Sequence, residues 1–184
     1  MNFKCYDVVE IQGKRYVVTE VISYQEFIIE KTVNYTLNDE MYNNELGTHK
    51  GAKNWTEYGL MPVDGEDKKW LTIVNGEKDY CTFSETILRS TPPKGYKLYD
   101  KGLQRVMSVK GESKARSGDK ADYKEYRTIK NDKTYVFFME DWHGGLKDQA
   151  QGERIRLSDV HRRRDQAAQA AVSYTHLTLP TNRE

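Results

Sequence analysis

The feature that most constrains this chain is a strand pattern that occurs twice. The first copy reads Trp55-Thr56-Glu57-Tyr58 and returns, after a polar turn, as Trp70-Leu71-Thr72-Ile73-Val74. The second copy reads Tyr123-Lys124-Glu125-Tyr126 and returns as Tyr135-Val136-Phe137-Phe138-Met139. We interpret the pattern as an internal duplication, in which one β-hairpin unit serves two halves of a β-rich domain. The alternative is a simple meander, because any run of hairpins looks self-similar.

The remaining strand signals extend this pattern over most of the chain. Residues rich in β-branched and aromatic side chains predict strands at 6–11, 15–22, 27–37, 78–83, 96–99, 104–109, 123–129, 135–140 and 154–157. Gln12-Gly13-Lys14 and Asn75-Gly76 predict tight hairpin turns, since glycine adopts positive φ without steric cost. A polar stretch over 38–53 predicts a long loop. Residues 159–171 predict a frayed terminal helix or no regular structure.

These signals predict an all-β, mainly antiparallel fold. Two related, hairpin-rich halves would form one barrel-like or sandwich domain. The first half covers 1–90 and the second covers 96–160, with a Pro-rich junction at 91–95, where consecutive prolines cannot join a central ladder. Residues 161–184 form a tail. Its last 13 residues, 172–184, resemble a peptide produced when sequencing-adapter DNA is translated, so we expect them to be foreign to the natural protein.

Charge and composition exclude several classes of function. The formal net charge is +1, so no overall field attracts nucleic acid or anionic lipid. There is no 20-residue apolar span and no secretory signal pattern, which favours a cytoplasmic protein. Cys5 and Cys81 are too few and too far apart for a zinc knuckle or a disulfide framework, and we expect two reduced thiols. No nucleotide-binding glycine loop or nucleophile elbow occurs, so we expect no enzyme and no cofactor.

Two glutamate–tyrosine pairs are the first candidates for chemistry. Neighbouring strand residues point to opposite faces, so Trp55 and Glu57 share one face while Tyr58 lies on the other. A pseudo-twofold between the halves would bring Glu57 and Glu125 together as an acid–base pair. The alternative, which we favour, is that each glutamate bonds a backbone group or a lysine and sets strand register.

The large aromatic residues are candidates for ligand contact. Trp70 and Trp142 are either binding platforms or core residues, and the usual burial of tryptophan favours the core. The binding candidates are therefore Trp55, Glu57, Tyr58, Trp70, Tyr123, Glu125, Tyr126 and Trp142. The run Glu140-Asp141-Trp142-His143 places two carboxylates beside an imidazole. Adjacent strand residues diverge, so we expect no metal site there and a surface turn at His143-Gly144-Gly145.

The chain resembles the bacterial family known as domain of unknown function 4178, over roughly residues 3–161. The resemblance rests on the opening hairpin, which reads Tyr6-Asp7-Val8-Val9-Glu10-Ile11-Gln12-Gly13-Lys14-Arg15-Tyr16-Val17-Val18. It rests more firmly on Trp55-Thr56-Glu57-Tyr58-Gly59-Leu60 followed by Lys69-Trp70-Leu71, and also on Gly111-Glu112, Gly118-Asp119 and Asp122-Tyr123. The 38–53 loop looks longer than the family pattern. The resemblance implies a β fold and a small bacterial adaptor working beside membrane-stress or conflict-system components.

Taken together, these features favour a non-catalytic binding or scaffold module in the bacterial cytoplasm, engaging a protein partner by a sheet edge or the groove between halves. The alternative is a small-molecule or polyanion binder that uses an aromatic-lined groove. A carboxylate-dependent hydrolase using Glu57 and Glu125 ranks third. A deep aromatic pocket would favour the small-molecule binder. Two carboxylates within a few ångströms of each other inside that pocket, with raised pKa values, would favour the enzyme.

Overall fold

A computed structural model of the chain describes residues 1–30, 46–48 and 53–164, and it describes the side chains of all these residues except 27–30 and 46–48. Within these ranges the chain is almost entirely antiparallel β-structure, with one 3₁₀ turn at Leu157–Asp159. The strands are β1 (Val8–Ile11), β2 (Lys14–Glu30), β3 (Leu46–Thr48), β4 (Asn54–Pro62), β5 (Lys69–Val74), β6 (Tyr80–Thr86), β7 (Lys97–Gly111), β8 (Lys120–Lys130), β9 (Lys133–Trp142), β10 (Lys147–Arg156) and β11 (Val160–Arg163).

Eight of these strands close into a barrel. The order around the ring is β2-β4-β5-β6-β10-β9-β8-β7, and β7 pairs back onto β2. Each half of the chain contributes one four-stranded meander, and the meanders meet at two seams, β6–β10 and β2–β7. The predicted all-β, barrel-like fold is confirmed. The two meanders are topologically equivalent, while their origin by duplication stays a prediction.

The tight turns follow from local backbone chemistry. Gln12 and Gly13 both have positive φ, at 52° and 78°, which is the geometry that matches the twist of a two-residue hairpin. Asn131 and Asp132 do the same between β8 and β9, at 51° and 62°. Asparagine and aspartate tolerate this region better than other non-glycine residues. The expected turn at His143-Gly144-Gly145 joins β9 to β10.

The sheet buries apolar side chains on both of its faces. Inside the barrel lies one cluster, which includes Tyr24, Trp55 and Tyr123. A second cluster covers the outside of β4, β5 and β6, where residues such as Leu71 pack under β1, β11 and the N-terminal Phe3. Because both faces are covered, β5 reads as a nearly continuous apolar run rather than a clean alternation.

The structure corrects two strand predictions in the second half. Residues 96–99 and 104–109 were predicted as separate strands, but β7 is one strand with a register shift between Leu98 and Asp100. A bulge of this kind bends a strand without ending it, and that bend helps a sheet to close. Strand β10 begins at Lys147, well before the predicted start at 154, because pairing to β6 and β9 supports polar residues of weak strand propensity.

Two further predictions change at the edges of the barrel. Leu46–Thr48, inside the predicted 38–53 loop, pairs with β2 as strand β3. The predicted helix at 159–171 is wrong where it is described, because Val160–Arg163 forms strand β11 against β1. There Arg163 forms an ion pair with Glu10 of β1, so the first residues of the predicted 161–184 tail belong to the sheet. Residues 31–37, and 165–171 of the predicted helix, lie outside the described residues.

The two cysteines are free thiols, as expected. Burial raises the pKa of the Cys81 thiol to about 12, so it stays protonated and unreactive near neutral pH. No helix among the described residues is long and apolar enough to cross a membrane.

Candidate functional site

The inner face of the barrel surrounds a cavity of about 1350 Å³. It is reached by the alternating side chains of each strand, such as Trp55 and Glu57 on β4 and Phe138 and Glu140 on β9. The β7–β8 and β9–β10 turns border it. Eight-stranded barrels either fill their interior with side chains or hold one small ligand, and this volume corresponds to the second case.

Aromatic rings form much of the cavity wall. All three tryptophans of the chain line it. The lining rings are Tyr24, Trp55, Trp70, Tyr123, Phe138 and Trp142. Several contact one another, with centroids 5.6 Å apart for Tyr24–Trp55, 5.6 Å for Trp55–Tyr123 and 5.7 Å for Tyr123–Phe138. The tryptophans are therefore wall residues of a cavity. This role lies between the two predicted alternatives, an exposed binding platform and a core residue.

Two glutamates enter the cavity from opposite sides. Glu57 lies on β4 and Glu140 on β9, four strands apart in the eight-stranded ring. Burial raises the pKa of Glu57 well above its ordinary value, and the charges of Glu140 and Glu20 raise it further. Burial also raises the pKa of Glu140 to about 7. Both residues are half-buried and line the cavity.

Polar neighbours contact Glu140 and also Glu20, another carboxylate that lines the cavity. Gln104, which is 1 % exposed, donates a hydrogen bond from Nε2 to Glu140 Oε2. The Gln104 Oε1 atom has no hydrogen-bond partner among the described residues. On the other side, Lys68 Nζ lies 2.7 Å from Glu20 Oε1. A Cβ at Gly59 would lie 2.5 Å from Glu20 Cγ, so the glycine leaves the space that this carboxylate occupies.

A separate polar cluster surrounds Tyr123. Its hydroxyl donates to Glu26 Oε1 at 2.8 Å and lies 3.2 Å from Asp100 Oδ2, which in turn accepts from Lys53. Tyr123 is 3 % exposed, and burial together with both carboxylates raises its pKa far above the ordinary value. The hydroxyl therefore stays protonated, and it links β8 to β2 and β7 through side chains.

We expect Tyr123→Phe to lower the free energy of unfolding by about 1 kcal/mol, because the half-buried carboxylates of Glu26 and Asp100 lose a hydrogen-bond donor. Urea unfolding followed by tryptophan fluorescence measures the change. Tyr80→Phe is the matched control, since Tyr80 is 43 % exposed and should change stability by less than about 0.5 kcal/mol. Equal stability of wild type and Tyr123→Phe would show that the hydroxyl contributes nothing to the barrel.

The structure separates the predicted site residues into two groups. Trp55, Glu57, Trp70, Tyr123, Glu125 and Trp142 line the cavity. Tyr58 and Tyr126 point outward. Tyr58 packs edge-on against Phe3, and Tyr126 packs with its ring tilted against Phe137. The expected alternation on β4 is confirmed, and it places Tyr58 in the outer cluster, away from the cavity.

The carboxylate that raises the pKa of Glu57 most is Glu140, whereas the sequence had named Glu125 as the partner. Glu125 also lines the cavity, but its Oε2 accepts from Arg127 Nε at 2.8 Å. Sequence reasoning considered Glu140 only as a metal ligand. The two-residue alternation of Val136, Phe138 and Glu140 in the sequence is the signal that places Glu140 on the inner face.

Adjacent side chains in the run from Glu140 to His143 diverge, as strand geometry predicts. Glu140 and Trp142 face inward, while the next residue, His143, lies near Asp122, with Nε2 3.2 Å from Oδ2. Within residues 1–30, 46–48 and 53–164, no group of three or more histidine, cysteine or acidic side chains is placed to hold a metal ion.

Comparison with known proteins identifies one match. A protein-family model described as "Domain of unknown function (DUF4178)" covers residues 5–157, which includes every strand of the barrel. No curated protein and no solved structure matches the chain.

Proposed function

The chain belongs to the family described as Domain of unknown function (DUF4178), and we propose that this member is a non-catalytic barrel that binds a small molecule in its interior. The observation that supports the proposal most is the cavity of about 1350 Å³ walled by all three tryptophans. The surrounding rings leave apolar faces to be covered by a ligand.

The energetics favour an occupant. Covering apolar surface is worth about 25 cal/mol per Å², so a ligand that hides about 100 Å² of apolar wall would gain about 2.5 kcal/mol before its own costs. Polar atoms of the wall residues would also orient a ligand. Trp142 Nε1 is buried and has no hydrogen-bond partner among the described residues. Such an atom is satisfied by water or by a ligand acceptor.

A protein partner, which the sequence ranked first, remains a prediction, as do a membrane-stress or conflict-system role and a bacterial cytoplasmic location. We rank a small-molecule ligand above a protein partner because a deep aromatic pocket is the feature expected of a small-molecule binder. Binding of a polyanion is less favoured than binding of another small molecule, because acidic side chains such as Glu57, Glu140 and Asp148 line the same cavity.

A matched pair of substitutions on β10 tests the proposal. Ala150 lines the cavity beside Phe138, while the adjacent Gln151 is exposed on the outer face. We expect wild-type protein to bind Nile red, a neutral aromatic dye, with a rise in dye fluorescence. Ala150→Trp should weaken this binding at least about tenfold by covering the ring surface, a loss of about 1.4 kcal/mol.

Gln151→Trp adds the same ring outside the barrel and should leave dye binding unchanged. Circular dichroism of both variants checks that the barrel is folded. Absence of dye binding by the wild type, or an equal loss in both variants, would contradict a ligand inside the barrel.

Acid–base catalysis on the bound molecule is a second candidate, favoured by Glu57 and Glu140. A pair whose members share a cavity and have raised pKa values holds a protonated and an ionised carboxyl near neutral pH. Mass spectrometry of a ligand recovered after incubation separates the two functions. An unchanged molecule supports binding alone, and a converted one supports catalysis.

A further inference from the structure

We propose that the molecule held in the cavity is an organic cation, a protonated amine that stacks on the aromatic wall and pairs with Glu57 and Glu140. This inference rests on the proposed small-molecule function and specifies the chemical class of its ligand. It is carried by the charge of the cavity, by the absence of an ion pair to either carboxylate among the described residues, and by an ammonium group that the barrel already binds in the same manner.

The charge of the cavity differs from that of the chain. Among the described residues, eight carboxylates and four lysines line it, whereas the whole chain has a formal net charge of +1. Negative charge is thus concentrated on the inner face. Low-dielectric walls focus such a field and raise the local concentration of cations.

Some of the lining carboxylates already have cationic partners from the protein. Glu20 is paired with Lys68, and Asp100 with Lys53. Among the described residues, Glu57 and Glu140 have no ion-pair partner, and the hydrogen bond from Gln104 to Glu140 carries no charge. A buried carboxylate pair without a cation is costly, so a bound cation would be stabilised there.

The barrel itself shows how an ammonium group fits this wall. Lys68 Nζ lies 4.3 Å from the centroid of the Trp70 ring while it contacts Glu20 Oε1 at 2.7 Å. The ammonium is therefore held between an aromatic face and a carboxylate, both of which line the cavity. Trp142 and Glu140 offer the same two kinds of group on one face of β9, and Trp142 is only half-buried. Ring faces attract cations most strongly when water is excluded.

The donors of an ammonium group suit the acidic lining of the cavity. Gln104 donates to Glu140 through Nε2, which leaves the other lone pairs of the Glu140 carboxylate for a ligand donor. An ammonium group has several N–H donors, so it can bond to more than one carboxylate oxygen. A carboxylate or a phosphate ligand would supply only acceptors and would face repulsion.

The charged neighbours of the pair define the pH response. Glu20 on β2, Lys68 before β5 and Asp148 on β10 act on Glu57, and Gln104 on β7 and Asp148 act on Glu140. Burial keeps Glu140 partly protonated near pH 7. A bound cation favours the ionised form, so binding should release protons and should strengthen as the pH rises from about 5.5 to about 8.

Three probes of equal shape and different charge test the inference: phenethylammonium, phenethyl alcohol and phenylacetate. Binding is measured by quenching of the three cavity tryptophans and by calorimetry in two buffers of different ionisation enthalpy. We expect phenethylammonium to bind at least about tenfold more tightly than the alcohol at pH 8, with proton release, and phenylacetate to bind most weakly. The alcohol should show no proton release.

Carboxylate variants assign the effect to the pair. Glu57→Gln and Glu140→Gln should each remove most of the preference for the cation over the alcohol. Glu66→Gln, in the exposed β4–β5 turn, is the matched control and should keep the preference. Circular dichroism of both variants checks that the barrel is folded, and Nile red fluorescence checks that the cavity still takes a ligand.

The outcomes distinguish this inference from the function on which it rests. If Nile red and the alcohol bind but the cation binds no better, the charge assignment is wrong and the small-molecule function stands. If none of the probes binds, the proposed function itself fails. A cation preference that survives both glutamate substitutions would place the cation elsewhere and would overturn the assignment to Glu57 and Glu140.

Discussion

Gly152→Ala is expected to destabilise the barrel by about 3 kcal/mol, a large part of the 5–15 kcal/mol that usually holds a domain together. Gly152 lies in β10, where it pairs with Ser84 across the β6–β10 seam and with Val136 on β9. A methyl group there would overlap the backbone oxygen of Phe83 and approach Ser84 Cα to 2.5 Å. These atoms belong to the backbone of a paired strand, so they cannot rotate away as a flexible side chain can.

Urea unfolding measures the effect, and Gly144→Ala is the matched control. Gly144 lies in the neighbouring β9–β10 turn, where an added Cβ would meet no atom within 4 Å. The control should change stability by less than about 0.5 kcal/mol. A Gly152→Ala protein as stable as the control would show that the seam can open without cost, and that the close approach of the two half-barrels is unimportant.

Replacing Glu140 by glutamine is expected to reduce the loss of stability that we predict for the wild type as the pH rises, because the ionisation of Glu140 is removed while that of Glu57 remains. The folded protein raises the pKa of Glu140 from an ordinary value of 4.5 to about 7, chiefly by burial. The unfolded chain therefore ionises first, and folding becomes less favourable as the pH rises through 7. The difference corresponds to about 3 kcal/mol between pH 4 and pH 8. Glu57 acts in the same direction, because its pKa is also raised.

Unfolding free energies at pH 5, 6, 7 and 8 test this expectation. The variant should be slightly more stable than the wild type at pH 5, and the difference should grow until about pH 7 and stay large at pH 8. The exposed Glu66→Gln should follow the wild-type profile. Parallel profiles for wild type and Glu140→Gln would mean that the carboxyl ionises in the barrel as freely as in the unfolded chain.

The two glutamates thus oppose folding at neutral pH in the empty protein. Groups that cost stability and lie in a cavity are typical of functional sites, because the arrangement that destabilises the free protein favours the bound one. On the proposal made here, a bound amine would restore that stability, and its binding would appear as a rise in the midpoint of thermal unfolding at pH 8.

Much of the local structure could be predicted from residue chemistry. The turn at Gln12-Gly13 and the alternation of Trp55, Glu57 and Tyr58 follow from backbone sterics and from the two-residue period of a strand. Six of the eight candidate site residues line the cavity for this reason. Alternation alone does not say which face is the inside, so Tyr58 and Tyr126 were included although they lie outside.

Closure of the barrel was decided by contacts between residues far apart in the chain. The β2–β7 seam joins Tyr24 to Val106, and the β6–β10 seam joins Ser84 to Gly152. Such pairings depend on the stagger between strands and on bulges, which local propensity does not encode. For the same reason the partner of Glu57 is Glu140, on the opposite side of the ring, and not Glu125 of the repeated motif. Local sequence determined the hairpins and their inward-facing residues, whereas the tertiary structure brought two distant carboxylates into one cavity.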